Sequence, residues 1–213
     1  MGTTTMDGRS KPFYLFMGVL SHLVLRGAFR LKVSGVEHLP KDTGFVLAAN
    51  HLSNLDPWPL GLAAWPRPIH FMAKAEIFDS PVLGRFVAAQ GAFPVRRGER
   101  DTGAVERAIT FARGGDPVVM FPEGTRRLPG RQIKHHTGAA RVALEAGVPL
   151  IPAGISGTDR LNRLGAQRVL YGPPVDLDDL KGMPSRDGAV EGTRRLMEAI
   201  HRLEAQLAGG KGR

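Results

Sequence analysis

Along the first thirty positions, apolar residues recur at helical spacing. Phe13, Phe16, Met17, Leu20 and Val24 fall on one face, and Leu15, Val19 and Leu23 widen it. The polar stripe of Lys11, Gly18, Ser21, His22 and Arg26 is narrow, and the pattern predicts one helix from Lys11 to about Phe29. Its apolar run from Phe13 to Leu25 is far shorter than the ~20 residues a membrane-spanning helix needs. No small-residue cleavage pattern follows Leu25, so a signal peptide is not indicated either. An amphipathic surface helix and an ordinary packed helix both fit.

Beyond Phe29 the pattern changes to short apolar runs separated by turns. Strands are predicted near Arg30–Gly35, Gly44–Ala49, Ile69–Ala73, Ala92–Val95, Pro117–Phe121, Leu150–Ile155 and Arg168–Tyr171. Helical stretches fit between and after them at Pro57–Trp65, Pro81–Ala89, Thr102–Ala112, Thr137–Ala146 and Asp187–Leu207. Such alternation predicts a single α/β domain over residues 30–208, with a largely parallel mixed sheet flanked by helices. Residues 1–29 form an amphipathic N-terminal helix ahead of it, expected to associate with a membrane. The runs before Asn50 and Pro122 are almost wholly apolar, as strands covered on both faces should be.

Composition narrows the function. With 42% hydrophobic and 23% charged residues in 213, the chain can build a core and is not a disordered or coiled-coil protein. It has no cysteine, which excludes disulfides, thiolate zinc sites and a thiol nucleophile. Lys and Arg number 29 against 20 for Asp and Glu, a net charge of +9 that favours anionic partners. Nucleic acid, anionic lipid and phosphate-bearing substrates all qualify.

Two strand ends carry chemistry. The first is Asn50-His51-Leu52-Ser53-Asn54-Leu55-Asp56, where ligands of open α/β sheets collect. A neutral His held by a carboxylate has one nitrogen fixed as donor and the other free to take a hydroxyl proton. The bland alternative is a loop histidine followed by Asp56 as N-cap of a helix starting at Pro57. The second is Phe121-Pro122-Glu123-Gly124-Thr125-Arg126-Arg127, a turn offering a hydroxyl and a planar guanidinium, suited to phosphate oxygens. A solvated turn with a surface Arg pair is the alternative there.

At this point the chain resembles the glycerophospholipid acyltransferases, specifically the 1-acylglycerol-3-phosphate O-acyltransferases. Their N-H-x-x-x-x-D motif is matched by Asn50, His51 and Asp56, and their F-P-E-G-T-R motif letter for letter by Phe121 to Arg126. Between these lies Gly91-Ala92-Phe93-Pro94-Val95-Arg96-Arg97, and after them Val148-Pro149-Leu150-Ile151-Pro152, both in family order. Lys74 matches a lysine found in many members. The resemblance implies direct acyl transfer from acyl-CoA or acyl carrier protein to the free hydroxyl of lysophosphatidic acid, with His51 as general base and Asp56 orienting it. It also implies a substrate-binding set of Lys74, Arg97, Glu123, Gly124, Thr125 and Arg126, in which Glu123 orders the loop and the cations hold the phosphate. Of Arg96 and Arg97, neighbours that point oppositely on an extended segment, Arg97 has the family's spacing from Gly91. No metal or resident cofactor is implied. The expected location is peripheral, on the cytoplasmic face of an anionic membrane.

Other readings are weaker. Gly154-Ile155-Ser156-Gly157 lacks the residue that a G-x-S-x-G nucleophile turn needs between Ser and Gly. His51, Asp56, His135 and His136 lack the spacing of a metal hydrolase, and the last two read as polar loop residues. Nucleic-acid binding has only the basic surplus behind it, with no recognition motif and 7% aromatic residues. A related acyltransferase using another lysophospholipid or a glycolipid acceptor stays open.

Overall fold

The computed structural model describes residues 11–96, 101–126, 135–183 and 185–209, and the backbone alone of residues 11, 13 and 161–163. Seven strands form one sheet: β1 (Lys32–Ser34), β2 (Phe45–Ala49), β3 (His70–Lys74), β4 (Ala92–Val95), β5 (Pro117–Met120), β6 (Leu150–Ser156) and β7 (Arg168–Tyr171). Among the described residues, six α-helices accompany them: α1 (Lys11–Gly27), α2 (Pro57–Gly61), α3 (Pro81–Ala89), α4 (Thr102–Arg113), α5 (Gly138–Ala146) and α6 (Ser185–Gly209). The strand order is β1-β7-β6-β2-β5-β3-β4. Every pairing is parallel except β6 with β7, so the sheet is largely parallel and mixed, as the sequence pattern predicts.

Crossover direction sorts the helices into two layers. The units β2-α2-β3 and β3-α3-β4 step towards the β4 edge, whereas β4-α4-β5 and β5-α5-β6 step back. Because parallel crossovers are right-handed, α2 and α3 lie on one face and α4 and α5 on the other. The core divides accordingly. Val46, Ala48, Val118, Met120 and Leu150 pack with Ala108, Val142, Leu196 and Ile200 of α4, α5 and α6. Phe45, Leu47, Val119, Ile151 and Ala153 pack with Leu25 of α1 and Leu60 of α2. All five residues of β2 are buried, which explains their uninterrupted apolar character.

Helix α1 is amphipathic in an unexpected sense. Gly18, Ser21 and His22, which read as part of a polar stripe, face the protein. A Cβ on Gly18 would collide with the Trp65 indole, His22 meets the same ring edge-on at 5.2 Å, and Ser21 is buried with Tyr14 and Leu25. Ser21 and His22 satisfy themselves on the carbonyls of Met17 and Gly18, so they pack without stranding a polar group. Phe16 and Leu23 are 64% and 67% exposed, and Val19 and Leu20 are exposed beside them. The outward face is the greasy one. Among the described residues, no helix is long and apolar enough to cross a membrane.

Helix α2 is shorter than the expected Pro57–Trp65. It ends at Gly61, whose bare Cα meets the Ile69 side chain, and a 3-10 turn over Leu62–Ala64 continues the chain. The buried Tyr171 hydroxyl donates to Leu60 O at 2.7 Å and ties α2 to β7.

Candidate active site

Two neighbouring strands, β2 and β5, deliver the two motifs to the same edge of the sheet. They run parallel with Ala48 opposite Met120, so the residues that follow, His51 and Phe121, emerge side by side at the carboxyl edge. Their rings stack, with centroids 4.1 Å apart and planes 18° from parallel.

His51 and Asp56 meet as their spacing suggested. His51 Nδ1 donates to Asp56 Oδ2 at 2.8 Å, with both side chains essentially buried. The same carboxylate oxygen accepts the backbone N–H groups of Leu52 at 2.7 Å and Ser53 at 2.8 Å. Asp56 thus folds the loop back on itself instead of capping α2: it occupies the N-cap position, but its own backbone is helical and it makes no capping bond to that helix. The capping alternative is thereby replaced by a carboxylate with three donors on one oxygen. With Nδ1 committed as donor, the imidazole's lone pair sits on Nε2.

Asn50 braces this loop from behind. Its Nδ2 donates to Ile155 O at 3.0 Å and its Oδ1 accepts from Ile155 N at 2.8 Å, both buried. The amide extends the β2–β6 ladder past its last register pair, Ala49 with Ala153. It fixes where His51 leaves the sheet.

On β5 the chain turns at Gly124, with φ +62°, after Gly124 N–H bonds to Phe121 O. A side chain there would be strained, and its Cβ would lie 2.6 Å from the His136 ring. His136 itself donates its backbone N–H to Pro122 O at 2.7 Å, clasping the turn. Glu123 is only 1% exposed, inside the turn, whereas Arg126 extends into solvent. Thr125 is partly buried, its hydroxyl bonded to Arg126 O. Lys74 ends β3 on the same sheet edge, exposed, with its ammonium 2.8 Å from Glu76. Arg97 lies outside the described residues. Among those described, no group of three or more His, Asp or Glu side chains is arranged to hold a metal ion.

A second buried His–Asp pair went unread in the sequence. His70 Nε2 and Asp116 Oδ2 are 3.0 Å apart, and the His70 ring stacks on Phe111 at 3.7 Å. These residues open β3 and precede β5, so the pair lies at the amino edge of the sheet, opposite His51. Beside it, Arg67 donates to the carbonyls of Pro40, Thr43 and Gly115, and burial lowers its pKa against the attraction of Asp116 and Asp42. That end of the sheet is stitched together by polar groups. Long-range pairs such as 70 with 116 leave no spacing signature.

The sequence matches the family model described as Acyltransferase over residues 30–156, more than half of the chain. Fold and sequence together define an acyltransferase. The 1-acyl-sn-glycerol-3-phosphate acyltransferase of Bacillus subtilis is 34% identical over 87% of this chain and 92% of its own length. A chloroplastic counterpart from Brassica napus is 31% identical, and the match spans 77% of this chain but only 48% of that longer protein. The crystal structure of the 1-acyl-sn-glycerophosphate (LPA) acyltransferase of Thermotoga maritima superimposes with a TM-score of 0.67 at 26% identity, covering 95% of this chain and 90% of that one. The chain belongs to the family of the 1-acyl-sn-glycerol-3-phosphate acyltransferases.

Proposed function

We propose that this protein transfers a fatty acyl group from acyl-CoA or acyl carrier protein to the free hydroxyl of lysophosphatidic acid, giving phosphatidic acid. The observation that carries the mechanism is the buried His51–Asp56 bond, which holds the imidazole in the tautomer a base needs. His51 Nε2 takes the acceptor's hydroxyl proton as its oxygen attacks the thioester carbonyl carbon. The C–O bond forms, the C–S bond of the collapsing tetrahedral species breaks, and the thiolate leaves with the proton held by His51. Asp56 stabilises the imidazolium between these steps. No acyl-enzyme is needed, in keeping with a chain without cysteine.

The acceptor's phosphate is read by Arg126, Thr125 and the Gly124 turn, with Arg97 and Lys74 as further cations and Glu123 ordering the loop from inside. The stacked Phe121 couples this turn to His51. Neither substrate needs a resident cofactor, because the donor carries the activated acyl group. Both lipids live in a bilayer, so the enzyme works peripherally on an anionic membrane surface, on the cytoplasmic side where its donors are found. The exposed Phe16, Val19, Leu20 and Leu23 of α1 supply the apolar contact.

Reconstitution on vesicles tests the acceptor. Lysophosphatidic acid is offered beside glycerol 3-phosphate and lysophosphatidylcholine, each with acyl-CoA and with acyl carrier protein. Acylation confined to lysophosphatidic acid is expected, and a preference for either of the others would overturn the assignment.

A further inference from the structure

We propose that α3 is a second lipid-contacting element, which together with α1 lays one whole face of the domain on an anionic bilayer. This rests on the membrane-borne substrate argued above.

Helix α3 is well formed yet barely embedded. Ser80 caps it by accepting the Leu83 N–H at 3.3 Å, and Pro81 occupies its first turn. Its one buried residue is Gly84, seated so closely on Phe78 that a Cβ would come within 2.9 Å of that backbone. Around this glycine, Val82 is 80% exposed, and Leu83 and Phe86 are about half exposed. Helix α1, anchored by the buried Tyr14 and Leu25, likewise sets Gly18 against Trp65 and turns Phe16, Val19, Leu20 and Leu23 outward. Both helices thus bring a glycine against the domain and turn a row of large apolar side chains outward. A water-facing helix would do the reverse.

Charge says what covers them. By sequence, the charged residues within α1, α2 and α3 are Lys11, Arg26 and Arg85, all cationic. The helices on the opposite face carry six carboxylates, Glu106, Glu145, Asp187, Glu191, Glu198 and Glu204, interspersed with seven arginines, so their charges are mixed and nearly cancel. On those helices, Val190 is the one exposed large apolar residue among the described residues. Right-handed crossovers put α3 in the α1–α2 layer. One face is therefore apolar with only positive helix charges, and the other polar with charges of both signs. Anionic lipid complements the first, whereas the second offers mixed charge and, among the described residues, almost no exposed apolar surface for a bilayer to bury. An acidic protein partner would match the charges but not a face whose exposed side chains are mostly aliphatic and spread over two separate helices.

The test uses the full chain, sedimented with phosphatidylcholine vesicles with and without phosphatidylglycerol. Val82→Asp and Phe86→Asp on α3 are compared with Phe16→Asp on α1. Each α3 substitution should lower partitioning by about tenfold or more. Arg85→Glu should weaken binding to the anionic vesicles alone. Melting temperature, and turnover of a water-soluble short-chain lysophosphatidic acid, should stay at wild-type values, because none of these side chains is buried or in the site. If the α3 variants bind like wild type while Phe16→Asp does not, α3 is excluded and the membrane reading survives. If the wild-type protein binds no vesicle, both fall. If the α3 variants instead turn a dimer into a monomer on a sizing column with vesicle binding unchanged, the face belongs to a second copy and the proposal is overturned. Equal loss of turnover on the soluble acceptor would also overturn it, by assigning α3 to the substrate pocket.

Discussion

Asn50 and Ile155 exchange two hydrogen bonds, side-chain amide to backbone, at 3.0 and 2.8 Å. The next residue after Asn50 is His51, so the position of the imidazole is set by a contact to a strand 105 residues away in sequence. Asn50→Ala leaves the buried N–H and C=O of Ile155 unpaired, at a cost of about 1–3 kcal/mol for each group. A lower melting temperature and a lower kcat are expected together. Asn50→Asp keeps the acceptor but sets an oxygen against Ile155 O, and it should be no better. A melting curve and kcat unchanged in Asn50→Ala would refute the bracing role.

Asp56→Asn separates orientation from charge. The amide oxygen can still accept from Leu52 and Ser53, so the loop should keep its fold. The charge that stabilises imidazolium is lost, and kcat should fall while KM for the acceptor changes little. A rise in KM with kcat intact would mean that Asp56 serves binding instead.

Arg126 is exposed at the end of the Gly124 turn, on the same edge of the sheet as His51. Arg126→Ala should raise KM for lysophosphatidic acid, and Arg126→Lys should rescue it only in part, because an ammonium cannot form the planar fork. An unchanged KM in Arg126→Ala would remove the residue from phosphate recognition.

The His70–Asp116 pair is the internal control. His70→Ala removes the hydrogen bond to the Asp116 carboxylate and the Phe111 stack at the amino edge of the sheet. Leaving a buried hydrogen-bonding group without its partner costs about 1–3 kcal/mol. The melting temperature should drop, with kcat of the surviving folded protein near wild type. Loss of kcat at an unchanged melting temperature would make this pair, not His51–Asp56, the reactive one.

Substitutions on α1 should act on membrane binding and not on the fold. Removing the helix outright would strip the buried Tyr14 and Leu25 from the domain, so deletion mixes two effects. Phe16→Asp and Leu23→Asp alter the exposed face alone. Both should reduce sedimentation with anionic vesicles at an unaltered melting temperature, whereas a lower melting temperature would assign that face to packing.

The legible parts of this molecule share a cause. Strands β2, β5 and β6 are covered on both sides and so appear as nearly unbroken apolar runs, and the ends of β2 and β5 appear as Asn-His and Pro-Glu-Gly. His51 with Asp56 is readable because a loop with four residues between them brings its own ends together. Asn50 with Ile155, Phe121 with His51 and His70 with Asp116 join separate strands, and only the register of the sheet reveals them. Helix α1 misled in a different way. Apolar periodicity finds the greasy face, but which face meets the protein was decided by the Trp65 indole over Gly18, a contact across 47 positions that no periodicity encodes. The choice between Arg96 and Arg97 rests on spacing alone: Arg96 offers its backbone N–H to Asp101, and Arg97 lies outside the described residues.

The account stands most directly on His51. Purified His51→Ala, assayed beside wild type for conversion of lysophosphatidic acid to phosphatidic acid on vesicles, should lose ~10²–10⁴-fold in kcat, the usual worth of a positioned base. Its melting curve should match wild type closely enough to exclude unfolding. Near-wild-type turnover by a folded His51→Ala protein would contradict the mechanism.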